Sequence, residues 1–361
     1  MRSWAYYACE FLARLHSFKR SRSACLEPER VLLINTFGIG DVLLCTPAIA
    51  AIRRRFHKAH ITFLAREGPA ELLCHNPHLD GIISGDFSYR NPIRGYHLAI
   101  LLTYHPMQTL ASLPVPGRIG YLSGHEVTSN GFPVVSRRWS GSHLVELGNG
   151  VAEALGCPNP GTELQIYLQE SERRAVDRYL PNQPFLAVNL QTKVPSKSWP
   201  LDRMELVIRW SPLPVVLVGG ATDRRVAEKV GSVFPAAINL VGKLSLRHTA
   251  AVLERCAAFV TADSGPMHLG FAVGAPTVAI FGYTDPNQIF LPSPERILLY
   301  HKKSCAPHFR VGDRDDRYRK CLTGDCMKAV QVQEVVAALT SLLKRQGVEL
   351  EPLSHCFRPE R

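Results

Sequence analysis

A chain of 361 residues is too long for one ordinary core and suits two domains of average size. Its composition, 46% hydrophobic and 20% charged, excludes intrinsic disorder, and no apolar run reaches the roughly 18–20 residues that a membrane-spanning helix needs. The formal charge of +11 favours anionic partners, yet no basic stripe interleaved with aromatics argues for nucleic acid.

Residues 1–29 read as a basic amphipathic extension. Trp4, Tyr6, Tyr7, Phe11, Leu12, Leu15 and Phe18 alternate with Arg14, Lys19, Arg20 and Arg22. Glu10 and Arg14 interrupt the apolar stretch and no small-residue cleavage site follows, so the pattern is not that of a signal peptide. It suits an anionic membrane surface, a helix packed on the first domain, or a poorly ordered tail. With no export signal, the expected location is cytoplasmic, with the inner face of the cytoplasmic membrane as a peripheral alternative. Most of the ten cysteines are then expected to be reduced.

Strand-like runs alternate with helical patterns from residue 30 onward, which predicts parallel sheets covered by helices. Val31–Ile34 is the first strand. Leu44, Ala48, Ile52 and Phe56 then recur every four residues as a helix that tolerates Pro47 near its start. Ile61–Leu64, Gly81–Ile83, Leu98–Leu102 and Arg118–Tyr121 follow as strands, and His143–Leu155 as a helix. After a break at Pro181–Pro184 the series restarts with Phe185–Leu190, Pro214–Gly220, Ile238–Val241, Phe259–Ala262 and Thr277–Phe281. Helices are expected over Thr222–Val233, Ser245–Cys256, Ser264–Val273 and Val330–Lys344. The expected layout is an α/β chain with one domain over 30–170 and a second over 183–330. Residues 331–361 would be a final helix and a tail. Open α/β sheets bind ligands at the carboxyl ends of their strands, here in a central cleft between the two domains.

The turn Thr36–Asp41 follows the first strand and opens a helix. Gly38 and Gly40 permit a tight turn and close approach of a ligand to the backbone. The spacing matches neither the dinucleotide fingerprint nor a P-loop, which argues against a nicotinamide dehydrogenase. Asp41 is either a helix cap or a general base that takes a proton from an attacking hydroxyl, and the two are compatible.

In the second series, Thr261–His268 joins a strand to a helix. Asp263 or Ser264 can cap, Gly265 admits a ligand, and the backbone N–H groups of such a helix start can hold a diphosphate without a lysine. His268 is either a phosphate donor or a helix histidine facing the sheet, and Met267 shares this segment. Thr192 and Lys197 lie in the loop after the first strand of this series, where a cation could neutralise a departing diphosphate. Gly219-Gly220 begins another strand-to-helix turn, in which Asp223 meets a ribose hydroxyl or caps the helix.

These segments, in this order, resemble the ADP-heptose:lipopolysaccharide heptosyltransferases of glycosyltransferase family 9. The matching residues are Phe37–Leu44 with Thr46–Ala48, then Lys197–Pro200, then Asp263–His268 with Gly282–Pro286, and they span roughly residues 30–340. The resemblance implies a GT-B fold of two Rossmann-like domains, the first (30–170) binding the acceptor and the second (183–330) the nucleotide sugar, with the final helix able to cross back to the first domain. It also implies an inverting, metal-independent transfer, with no cofactor, from a nucleotide-diphosphate sugar (ADP-heptose) to a glycan or glycolipid such as lipopolysaccharide inner core. Asp41 would be the base and Lys197 a diphosphate contact. Thr192, Gly220, Asp223, Asp263, Ser264, Gly265, Met267 and His268 would bind the donor. Cys305, His308, Cys321 and Cys326 are too loosely spaced for a convincing zinc site and fit better as a family remnant. Two other readings of the scaffold are a non-hydrolysing nucleotide-sugar epimerase and a non-catalytic glycan- or nucleotide-binding protein.

Overall fold

The computed structural model describes residues 27–85, 93–103, 114–121, 127–130, 143–157, 160–304, 306–307, 321 and 323–349. The basic extension at residues 1–26 lies outside them. The chain divides into two compact units. The first runs to Tyr167 and takes in Asn287–Ile289, and the second begins at Leu168.

The first unit carries a six-stranded sheet in the order β3-β2-β1-β4-β5-β6. The strands are β1 (Arg30–Ile34), β2 (His60–Ala65), β3 (Gly81–Ser84), β4 (Leu98–Leu101), β5 (Gly117–Tyr121) and β6 (Val127–Asn130). All neighbours pair in parallel except β5 and β6, which are antiparallel. Val31, Leu32 and Leu33 are each 0% exposed, which is why β1 reads as an unbroken apolar run: helices and sheet neighbours cover both its faces. The single helix expected after the glycine turn is two, Ile39–Leu44 and Thr46–Arg55, with Cys45 at the joint. Pro47 accounts for the break. It belongs in a first turn, and here it is the second residue of the second helix.

The second unit repeats the plan. β7 (Leu186–Asn189), β8 (Val215–Val218), β9 (Ile238–Asn239), β10 (Ala258–Ala262), β11 (Thr277–Phe281) and β12 (Arg296–Tyr300) form a parallel sheet in the order β12-β11-β10-β7-β8-β9. Counted within each unit, both sheets have the order 3-2-1-4-5-6. Strand order therefore reverses between β1 and β4, and again between β7 and β10. A gap for ligands opens at such points, outside the carboxyl ends of the strands.

The structure differs from the sequence reading in further ways, and β6 and the helix Leu201–Trp210 are additions to it. Strand β12 went unrecognised because its five residues are all only half-buried, as befits a sheet edge. The stretch treated as a joint contains the helix Glu170–Asp177, which packs on the helix Leu246–Glu254 of the second unit. The last helix, Val332–Arg345, was allowed to cross back to the first domain. Instead its stripe of Val332, Val335, Val336, Leu339, Leu342 and Leu343 is part of the second unit's core.

The helix Glu170–Asp177 has little apolar surface and buries only Val176. Charge pairs hold it instead. Arg247, buried on the neighbouring helix, grips both carboxylate oxygens of Glu172 at 2.5 and 2.7 Å. Arg173 returns a second two-point pair to Glu254 at 2.7 and 2.8 Å. Removing one member of a buried pair strands the other charge. Arg247→Ala is expected to cost about 3 kcal/mol by that effect, whereas Arg174→Ala, which breaks the exposed pair with Glu170, should cost under about 0.5 kcal/mol. Urea unfolding of the two variants checks the contrast.

Candidate active site

Most candidate residues lie after the strands that border each reversal of strand order, with Gly220 and Asp223 after the next strand, β8. In the first unit the organiser is Asn35, buried at 1% exposure just after β1. Its side chain accepts from the Phe37 N–H (3.0 Å) and donates to the Asp41 carbonyl (3.2 Å) and to Cys45 Sγ (3.1 Å). Burial pushes the Cys45 thiol up to about 12, with the Asn35 bond opposing and the Asp41 charge adding, so it remains a neutral donor to the Asp41 carbonyl at 3.2 Å. Asp41 is the third residue of its helix, and its Oδ2 accepts the Gly38 N–H at 3.1 Å. Asp41 thus caps from inside the helix, its carboxylate bonding back to the N-cap N–H while the Gly38 N-cap has no side chain to return a bond. Asp41 is half-exposed and Gly38 exposed. Neither Gly38 nor Gly40 has a positive φ, so their backbone does not require glycine. What the missing side chains provide is bare main chain beside Asp41.

In the second unit the organiser is Asn189, at the end of β7 and 2% exposed. It donates to the Val218 carbonyl of β8 (3.2 Å) and accepts from Thr261 of β10 and from Ser264, both at 3.2 Å. One amide therefore ties three strand ends together across the reversal of order. Ser264 occupies the N-cap position of the helix Gly265–Ala272, but its hydroxyl is turned to Asn189 and makes no cap bond. Ser245, by contrast, caps its own helix by accepting the His248 N–H. A helix start without a side-chain cap keeps its positive end for an external anion.

The structure brings Lys197 and Asp263 together. Lys197 Nζ lies 2.7 Å from Asp263 Oδ2, with side-chain exposures of 20% and 8%. Thr284 donates to the same oxygen at 2.5 Å, and the Tyr283 ring centre lies 5.8 Å from the ammonium. Lys197 is thus a held cation rather than a solvated loop lysine. The Lys-x-Trp-Pro grouping explains how. Trp199 is 2% exposed and its indole N–H donates to the Val330 carbonyl at 3.1 Å. Ser198 Oγ accepts the Thr192 N–H at 2.9 Å, and a 3₁₀ turn spans Pro195–Lys197. The buried tryptophan pins the loop, and the loop presents the lysine.

Burial alone would raise the Asp263 pKa. The Lys197 charge and hydrogen bond, the Thr284 hydroxyl and the His268 charge outweigh it and hold the carboxyl below the usual carboxylate range.

The other donor candidates divide. Thr192 is buried and its hydroxyl is turned inward, to the Val194 carbonyl at 2.7 Å. Asp223 was read as a cap or a ribose contact. It stands at the N-cap position but makes no side-chain cap bond; its Oδ1 accepts from Thr222 (3.1 Å) and from Gln191 (3.3 Å). Gly220, just before it, is exposed. Met267 is 0% exposed, so its side chain offers no surface to a donor, contrary to expectation. His268 is 6% exposed and meets Phe271 edge to face. Of the loose cysteine set, Cys305 and His308 lie outside the described residues, while Cys326 is fully buried and Cys321 partly so. Among the described residues no three His, Cys, Asp or Glu side chains form a metal-binding group. From sequence, Asn35 and Asn189 carry no role, and Thr284 appears only as part of the matched segment Gly282–Pro286. A polar residue ending an apolar strand is the signal that could have found the two asparagines.

Two Rossmann-like units, each with a polar cluster at its reversal of strand order, define a two-domain α/β protein of the kind that binds ligands at the carboxyl ends of its strands. The model of glycosyltransferase family 9 (heptosyltransferase) matches residues 110–319, and the chain belongs to this family. It is therefore a glycosyltransferase with the GT-B fold. It is 25% identical to lipopolysaccharide heptosyltransferase 3 of Escherichia coli K12 over 339 residues, covering 84% of this chain and 95% of that one. A family 9 glycosyl transferase from Veillonella parvula superposes with a TM-score of 0.72 at 22% identity, covering 91% of this chain and 100% of the other. The E. coli ADP-heptose lps heptosyltransferase II gives 0.68 at 18% identity, with 88% and 99% covered.

Asp263 is expected to give the second unit an acid-sensitive stability. A carboxyl whose pKa is depressed on folding stabilises fully above its unfolded value near 4, and the contribution fades as pH falls toward the folded value. Asp263→Asn should flatten the loss of stability below about pH 4. Thermal melts of both proteins between neutral and acid pH read this directly.

Proposed function

We propose that this glycosyltransferase moves heptose from ADP-heptose to a hydroxyl of a lipopolysaccharide inner-core acceptor, inverting the anomeric centre in a single displacement. The observation that carries the reading is the match to lipopolysaccharide heptosyltransferase 3 over 84% of this chain and 95% of that one. Family membership favours group transfer over the epimerase and non-catalytic alternatives.

In the proposed reaction the acceptor oxygen attacks the anomeric carbon, the bond from that carbon to the diphosphate oxygen breaks, and Asp41 takes the acceptor proton. Asp41 can serve while capping its helix, because a carboxylate offers about four lone-pair positions. Negative charge gathers on the leaving diphosphate. Lys197 and the uncapped start of the helix Gly265–Ala272 would stabilise it without a metal, as preorganised charge does when it costs no rearrangement at the moment of reaction. Thr192, Gly220, Asp223, Asp263, Ser264, Gly265 and His268 complete the proposed donor side, with Gly220 and Gly265 acting through their backbone. Thr192 would contribute only if its hydroxyl turns from Val194. The acceptor's lipid anchor suits a reaction on the inner face of the cytoplasmic membrane, with the basic extension resting on anionic headgroups.

Incubating the protein with ADP-heptose and a heptose-deficient inner-core acceptor should release ADP and add one heptosyl mass to the acceptor. Asp41→Asn should lower turnover at least about 100-fold by loss of the base, with donor affinity nearly unchanged. Lys197→Ala should cost roughly 100-fold in kcat/KM, in line with loss of one preorganised charge contact. Mass spectrometry and coupled ADP release measure both. Donor consumption with no transfer, or near-normal turnover by Asp41→Asn, would refute the scheme.

A further inference from the structure

We propose that Thr284 is a positioning residue for the donor lysine: its hydroxyl fixes Asp263, and Asp263 in turn fixes the Lys197 ammonium. The inference rests on the reading of Lys197 as the diphosphate contact. Thr284 is 1% exposed and follows β11, while Asp263 follows β10, its parallel neighbour. The Thr284 hydroxyl and the Lys197 ammonium both bond to Asp263 Oδ2, at 2.5 and 2.7 Å. Two donors converging on one oxygen set the rotation of the carboxylate, which a single flexible lysine does not.

Thr284 is itself firmly placed. At Gly282, two residues earlier, an added Cβ would lie 2.8 Å from the carbonyl carbon of Cys326, so backbone of the short helix Asp325–Lys328 presses on the strand end. Tyr283, between them, is 2% exposed. The strand end therefore has little room to shift, and the hydroxyl is delivered to one place. A hydrogen bond to a charged group is worth more than a neutral one, and its loss here leaves a buried carboxylate short of a donor. The charged groups facing Asp263 are Lys197, from the loop after β7, and His268, from the helix Gly265–Ala272. The Thr284 hydroxyl works with them to keep Asp263 ionised, so its removal would let Asp263 take up a proton at higher pH.

The test compares Thr284→Val, Thr284→Ser and Lys197→Ala in the full-length protein. With ADP-heptose as donor and saturating inner-core acceptor, kcat and KM are measured from pH 4 to pH 8, and circular dichroism confirms folding. Thr284→Val is expected to lower kcat/KM for donor about tenfold and to move the acid limb of its profile to higher pH. Thr284→Ser, which restores the hydroxyl, should behave like wild type on both counts. If the valine variant does not fold, Thr284→Ala is read in its place. Wild-type kinetics and an unmoved acid limb in Thr284→Val, beside an impaired Lys197→Ala, would overturn the role of Thr284 alone. A fully active Lys197→Ala would overturn the reading beneath it.

Discussion

The bond between the Lys197 ammonium and the buried carboxylate of Asp263 is the constraint around which the second unit's site is built. Taking both charges from water is costly, and mutual attraction repays the cost only when geometry and further hydrogen bonds are good. The chain meets that condition from three directions. Trp199 anchors the loop that carries the lysine, Thr284 adds a second donor to the same carboxylate oxygen, and Asn189 ties the ends of β7 and β10, from which the lysine loop and Asp263 depart. The result is a cation fixed in place before any ligand arrives. Electrostatic catalysis requires such prior placement, because charge that must reorganise during the reaction returns part of the benefit.

The two units solve the same problem with related parts. Each ends its first strand in a buried asparagine, Asn35 or Asn189, that spans the first loop and ties it to the element beyond. In the first unit the amide organises a helix start closed by its own acid, Asp41, through the Gly38 N–H. In the second it draws Ser264 away from capping, so the helix start has no side-chain cap. One fold thus presents a carboxylate in one unit and a positive terminus with a held cation in the other. The proposed displacement needs both, since a proton must leave the acceptor as negative charge builds on the diphosphate.

Much of the fold was legible because parallel strands buried on both faces read as short apolar runs, and the series restarts after Pro181–Pro184. What escaped detection has physical reasons. Strand β12 is half-buried at a sheet edge, so its pattern is weak. The helix Glu170–Asp177 is held by ion pairs to Arg247 and Glu254, distant in sequence, rather than by an apolar stripe of its own. In the site, Asp41 and Lys197 stood out by their motifs, but the partner that holds Lys197 depends on which strands are neighbours. Sequence spacing does not carry that information. Met267 shows the converse: a residue inside a motif can turn its side chain wholly into the core.

A double-substitution cycle on Lys197 and Asp263, read as kcat/KM for donor, tests most directly whether the two act as a unit. If Asp263 works chiefly by holding the lysine, Lys197→Ala and Asp263→Ala will each be impaired, and the double variant will be little worse than Lys197→Ala alone. Losses that multiply, with the double variant worse by the full product of the two single effects, would contradict the account.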